Sequence, residues 1–242
     1  MSRIVSIDTR YVGPPETGQG GYVAGLLSAG IDGAAQVTLK AATPVGTPLE
    51  IRNQGDGRYV LALNGSVFAE AAPTELDLEI PQPVSFDTAH RAHQGFHGWL
   101  RRLGIPHHPI ATCFVCGTGL ENRYYLNILP GPLDDGRAVA CPWVPAPELA
   151  NENGEVAREF VWSVLDCPAG WALMLDAPLA NRLTGRLAAK QVAPIRAGER
   201  YVTLGWFEGA DGRKLYGCSA IFDAGGGLCA YARATWINLV AN

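Results

Sequence analysis

The chain has 242 residues, 48% of them hydrophobic and only 17% charged, which allows a substantial core and excludes a disordered, highly solvated chain. Its net charge is −4, and no basic run exceeds Arg101-Arg102, so the basic footprint of a nucleic-acid binder is missing. No window approaches the ~18 uncharged apolar residues that span a bilayer.

The 29 glycines and 17 prolines favour short, frequently interrupted elements, hence a strand-rich fold. Met1 to Arg10 is polar and strand-like. It lacks the basic start and apolar stretch of a signal peptide, so a soluble cytoplasmic protein is expected. The six cysteines (113, 116, 141, 167, 218 and 229) are then expected to be reduced thiols.

In chain order, Gly20-Gly21 opens an apolar helix over 21–29. Strands are predicted over 35–42, 49–54, 59–63 and 66–72. A Pro-rich stretch follows, then a helix over 88–103. Segments 124–129 and 138–144 read as further strands. A small-residue turn, Cys167-Pro168-Ala169-Gly170, is predicted to open a second apolar helix over 170–175. Strands over 187–194, 200–208, 214–223 and 228–239 close the chain, with Asp211-Gly212 as a hairpin turn.

The two halves repeat this order. Tyr22 is laid on Trp171, the run from Lys40 to Val45 on Lys190 to Ile195, and Val67 to Ala71 on Leu228 to Ala232. One helix followed by an antiparallel meander, written twice, describes two sheets each wrapped around a helix. Tyr22 and Trp171 are expected to pack those helices onto their sheets.

Leu187 to Glu199, a strand running into Pro194-Ile195-Arg196-Ala197-Gly198-Glu199, resembles the hotdog thioesterase pattern. Leu165 to Ala172 resembles the acidic, glycine-containing approach to that family's central helix. Thr112-Cys113-Phe114-Val115-Cys116-Gly117 is similar to a piece of thioesterase-like members. The resemblance implies an α+β double hotdog of two tandem units. These are an N-terminal unit over 1–85, a connecting segment with a helix and the Cys-x-x-Cys over 86–123, and a C-terminal unit over 124–242. It implies an acyl-CoA thioesterase-like hydrolase acting on acyl-CoA or another acyl thioester. No cofactor or metal, nucleic acid or membrane partner is expected. A homodimer of the fused chain is.

Thioester hydrolysis needs a base for water, donors for the oxyanion and a slot for the acyl chain. Asp166, before the predicted helix start, is the candidate base or water-orienter; the alternative is a helix-capping aspartate. Backbone amides of Ala169 and Gly170 are the candidate oxyanion donors, and close packing is the alternative for the glycine. Gly20, Gly21, Tyr22, Trp171 and His97 are the candidate substrate-binding residues. The first-half counterpart of Asp166 falls near Thr17, with Gln19 and Glu16 beside it, so the two seams are expected to differ chemically.

Cys167 reads as a small buried filler rather than a nucleophile. Cys113 and Cys116, with His107 or His108, have partial zinc-ligand spacing, but the second Cys-x-x-Cys of a strong motif is missing. His90, His93 and His97 share one helix face. Arg101, Arg102 and Arg123 could meet coenzyme A phosphates or be ordinary surface charges. A hydratase or dehydratase of acyl-CoA and a non-catalytic acyl binder are the rival readings.

Overall fold

The computed structural model describes residues 2–119, 126–176 and 182–239. Its strands are β1 (Ser2–Ser6), β2 (Ala35–Leu39), β3 (Pro48–Gly55), β4 (Arg58–Leu63), β5 (Ser66–Pro73), β6 (Gly131–Pro132), β7 (Ala138–Trp143), β8 (Arg182–Gln191), β9 (Tyr201–Asp211), β10 (Lys214–Asp223) and β11 (Leu228–Asn238). Its α-helices are α1 (Gly20–Leu27), α2 (Phe86–Arg102) and α3 (Arg158–Ala172).

The strands form one antiparallel sheet in the order β1-β3-β4-β5-β2-β8-β11-β10-β9-β7-β6. Each half contributes a contiguous block, and the blocks meet where β2 pairs with β8, from Ala35 opposite Ala189 to Thr38 opposite Arg186. The strands expected from alternation are present within a few residues of their predicted bounds. Of the predicted 124–129 strand, residues 124 and 125 lie outside the described residues, and 126–129 are not a strand.

α1 is apolar on nearly every side, with Gly21, Tyr22, Val23, Ala24, Gly25 and Leu27 buried, as a helix enclosed by a sheet must be. α3 is likewise buried along most of its length, including Phe160, Val161, Val164 and Leu165. The two helices run antiparallel and very close. Gly21 faces Trp162 and Ser163, while Gly25 faces the backbone of Glu159. Together they occupy the main core.

α2 is amphipathic, with Ala89, Ala92, Phe96, Trp99 and Leu100 on its buried face. Ser85 caps it by accepting the Thr88 N–H at 3.1 Å. Ala89 and Ala92 pack with Ala140, Val202, Leu204, Ala220 and Phe222. The alternate residues Val139, Cys141, Tyr201 and Ile221 belong to the main core. Successive side chains point to opposite faces of a strand, so this part of the sheet carries α3 on one face and α2 on the other.

One expected element is corrected. The second central helix begins at Arg158, and Cys167-Pro168-Ala169-Gly170 is its last part rather than a turn before it. Residues 173–175 form only a short 3₁₀ extension. Laying Tyr22 on Trp171 therefore pairs the start of α1 with the end of α3, and that match is coincidental. Pro168 lacks an N–H and would normally end a helix. Here burial of the whole segment against β9 and β10 overrides that local preference, and Ser219 Oγ donates to the neighbouring Leu165 carbonyl at 2.6 Å.

Candidate functional site

Asp166 lies in the middle of α3, is 2% exposed, and points across the seam at the N-terminus of α1. Its Oδ2 accepts from Gln19 Nε2 at 2.7 Å and from the Gly21 N–H at 3.1 Å. Its Oδ1 accepts from Thr184 Oγ1 in β8 at 2.9 Å. Gln19 caps α1, with Oε1 accepting the Tyr22 N–H at 2.8 Å. That bond fixes the orientation of the amide and leaves its NH₂ for Asp166.

The carboxyl is pushed up to about 7, chiefly by burial. The Thr184 hydroxyl opposes this by bonding to the charged form. Negative charge on nearby Cys113 raises it further, and the donors Gly21 and Gln19 lower it. The result is a carboxyl poised to exchange a proton near neutral pH. It does not cap α3, its own helix, but it accepts the Gly21 N–H at the start of α1.

Ala169 and Gly170 are not at a helix start. Both lie in the last part of α3, where amides are committed to intrahelical bonds and the helix end carries partial negative charge. Gly170 instead admits the Trp236 ring, which a Cβ would strike. The helix start facing Asp166 belongs to α1. Gly21 spends its amide on the carboxylate. Gly20, half-buried and at the first helical position, has an N–H with no protein partner among the described residues. A Cβ on Gly20 would sit 3.3 Å from Asp166 Oδ2, so glycine keeps this approach open.

Tyr22 stacks on Tyr11 at 4.6 Å between centroids and meets Phe160 and Phe114 edge-on. Trp171 packs edge-on against Phe96 and His108 at 4.9 and 5.0 Å. His97 is exposed and lines a cavity of about 240 Å³ with Leu100, Ile105 and His107; Asp166 is not among its walls. His93 is half-buried, 3.2 Å from the Leu129 carbonyl and 3.5 Å from Cys141 Sγ. Arg123 lies outside the described residues.

All six cysteines are free and buried. Cys113 and Cys116 are joined not by Cys141 or a histidine but by Cys167. The three Sγ atoms lie within 4.8 Å of one another. Cys167 Sγ is also 3.8 Å from Gln19 Nε2, which places the trio directly beside Asp166.

Asp166 stands out in the sequence as an acid beside small residues, whereas Thr184, a lone hydroxyl in a strand, carries no such signal. Gln19, expected beside the first-half counterpart of Asp166, instead bonds to Asp166 itself, and glutamine is not among the residues that ordinarily signal a helix cap.

No family model matches the chain, and no curated protein is significantly similar to it. Solved structures are similar over its full length. The tesB protein of Mycobacterium avium subspecies paratuberculosis is 9% identical, with a TM-score of 0.62 over 99% of this chain and 93% of that one. A provisionally named thioesterase II from Thermobifida fusca YX is 14% identical, with a TM-score of 0.61 over 99% and 94%. A hot dog fold protein of unknown function from Alicyclobacillus acidocaldarius is 12% identical, with a TM-score of 0.58 over 100% and 94%.

The architecture is an α+β hotdog fold, and the sequence's resemblance to the hotdog thioesterase-like superfamily holds at the level of fold. Among the described residues no helix is long and apolar enough to cross a membrane.

Proposed function

We propose that the chain is an acyl-CoA thioesterase-like hydrolase built from two tandem hotdog units, with its reaction centre at the seam between α1 and α3. The observation that carries this reading is Asp166. It is a buried carboxyl pushed up to about 7, held by Gln19 and Gly21 of the first half and Thr184 of the second.

Asp166 orients a water and takes its proton as the oxygen attacks the thioester carbonyl. The carbonyl electron pair moves onto its oxygen, where the Gly20 N–H at the positive end of α1 stabilises it. On collapse the C–S bond breaks, and the proton on Asp166 passes to the departing thiolate. The products are a carboxylic acid and a free thiol. Gln19 and Thr184 are positioning residues, holding the carboxylate and tuning its basicity.

The substrate class is acyl-CoA or another acyl thioester. The name of the Thermobifida neighbour supports this, while identity at that level speaks for fold alone. A cytoplasmic location and a homodimer of the whole chain complete the reading; light scattering on the purified protein tests the latter.

One observation favours a second reading, a non-catalytic acyl binder. Three donors already occupy the Asp166 oxygens, and the group is 2% exposed. A hydratase is disfavoured, because no histidine bonds to Asp166 among the described residues.

Free-thiol release from a panel of acyl-CoAs separates these. Hydrolysis by the wild type and a loss of about 100-fold or more in Asp166→Ala, with the fold kept by circular dichroism, is expected. Binding without thiol release would establish the binder instead. Hydration of an enoyl-CoA would establish the hydratase.

A further inference from the structure

The loop over 107–119 brings Cys113 and Cys116 onto α3 at Cys167. All three residues are buried, at 4%, 6% and 6% exposure, and their sulfurs lie within 4.8 Å of one another. Six free cysteines scattered in a core would not be expected to converge in this way. Cys141, Cys218 and Cys229 remain apart from the trio.

A side-chain donor from the residue that caps α1 reaches the trio. Gln19 Nε2 lies 3.8 Å from Cys167 Sγ. A donor beside a ligating sulfur is what a metal–thiolate site uses to hold and tune it.

The turn is shaped for this. Gly117 donates its N–H to the Cys113 carbonyl at 2.7 Å, and a Cβ there would collide with the carbonyl oxygens of Ala111 and Cys113. Only glycine closes the loop tightly enough to return Cys116 to Cys113.

We propose that Cys113, Cys116 and Cys167 bind one zinc ion through three thiolates. Zinc–sulfur bonds of ~2.3 Å in a tetrahedron set the sulfurs ~3.8 Å apart. Cys113 and Cys167 stand at 3.9 Å, so little movement is needed. No fourth protein ligand joins the cluster among the described residues, so the fourth position takes water or a small exogenous ligand. Three thiols give up their protons on binding, so affinity rises with pH. The ion ties the 107–119 loop to α3 immediately beside Asp166. The proposal is independent of the hydrolase reading, because it concerns metal content rather than turnover.

The test uses the full chain, produced with zinc in the medium, kept reduced, dialysed and analysed for metal by mass spectrometry. About one zinc per chain is expected. Cys113→Ser, Cys116→Ser and Cys167→Ser should each weaken zinc affinity more than about 100-fold. Cys229→Ser, outside the trio, should leave it unchanged.

Should a serine variant fail to fold, the wild type still decides the matter. Replacing zinc with cobalt(II) should give the intense near-ultraviolet absorption of thiolate-to-metal charge transfer, and a mercurial titrating the thiols should release the zinc stoichiometrically. Reduced protein holding less than about a tenth of an equivalent of zinc under these conditions, or holding it equally well in all the serine variants, would overturn the proposal.

Discussion

Burial sets both the proposed basicity of Asp166 and its cost in stability. Its carboxyl is pushed up from its ordinary 3.8 to about 7, so the folded protein holds a proton that the unfolded chain has released between about pH 4 and 7. Stability attributable to this group is therefore greatest below about pH 4. It declines as pH rises through that window and levels off above about 7, a difference on the order of 4 kcal/mol at most. Urea titrations of wild type and Asp166→Asn across pH 4–8 should show this slope in the difference between them. The same group predicts a hydrolysis rate that falls about tenfold per unit below pH 7, because only the carboxylate takes a proton from water. Thr184→Val removes a donor that favours the charged form, so the midpoint of that rate profile should move to higher pH. An unmoved midpoint would show that the hydroxyl does not tune the carboxylate. The aspartate was legible as an acid beside small residues. Its partners were not, because Gln19 and Asp166 are 147 positions apart and meet only through the packing of two helices.

At the level of elements, the contact between α1 and α3 depends on Gly21 and Gly25. A Cβ on Gly25 would lie 2.5 Å from Glu159 Cα, and one on Gly21 would lie 2.5 Å from the Trp162 carbonyl oxygen. Alanine is the better helix former by about 1 kcal/mol, yet Gly25→Ala should destabilise the protein by roughly 2 kcal/mol, because neither backbone can give way without moving a helix. Gly95 in α2, with nothing within 4 Å of its would-be Cβ, is the control: Gly95→Ala should stabilise by about 0.5–1 kcal/mol. Thermal or denaturant midpoints for the two variants should therefore move in opposite directions. Strands and α2 could be read from alternation and from a three-to-four residue period, signals that each segment carries by itself. α3 could not be bounded, because its apolar residues run all the way round and Pro168 imitates a stop. With the helix misplaced, the amides of Ala169 and Gly170 were assigned to the wrong end of it.

Over the whole molecule, one core takes residues from both halves, and β2 and β8 make the sheet continuous between them. Inside that core α1 and α3 pack directly on each other. Unfolding is expected in one cooperative transition, with circular dichroism and tryptophan fluorescence giving coincident midpoints. Two separated transitions would mean that the halves are independently stable. Of the segments matched in the sequence, those around Lys40 and Lys190 fall at or beside β2 and β8, and those around Val67 and Leu228 within β5 and β11, whereas Tyr22 and Trp171 fall at opposite ends of their helices.

The opposite end of the α1–α3 seam differs from the Asp166 end. α3 is capped there by Ala157, which makes no side-chain bond, where α1 has Gln19. Counted from the helix start, the counterpart of Asp166 falls at Ser28, one residue past the end of α1, and its hydroxyl donates to the Gly25 carbonyl. Arg158 fills the remaining space, donating to the carbonyls of Ser28 and Ile31 at 2.6 and 2.9 Å. No carboxylate stands at this end of the seam among these residues; a guanidinium does, so the proposed reaction centre predicts one acyl group bound per polypeptide rather than two.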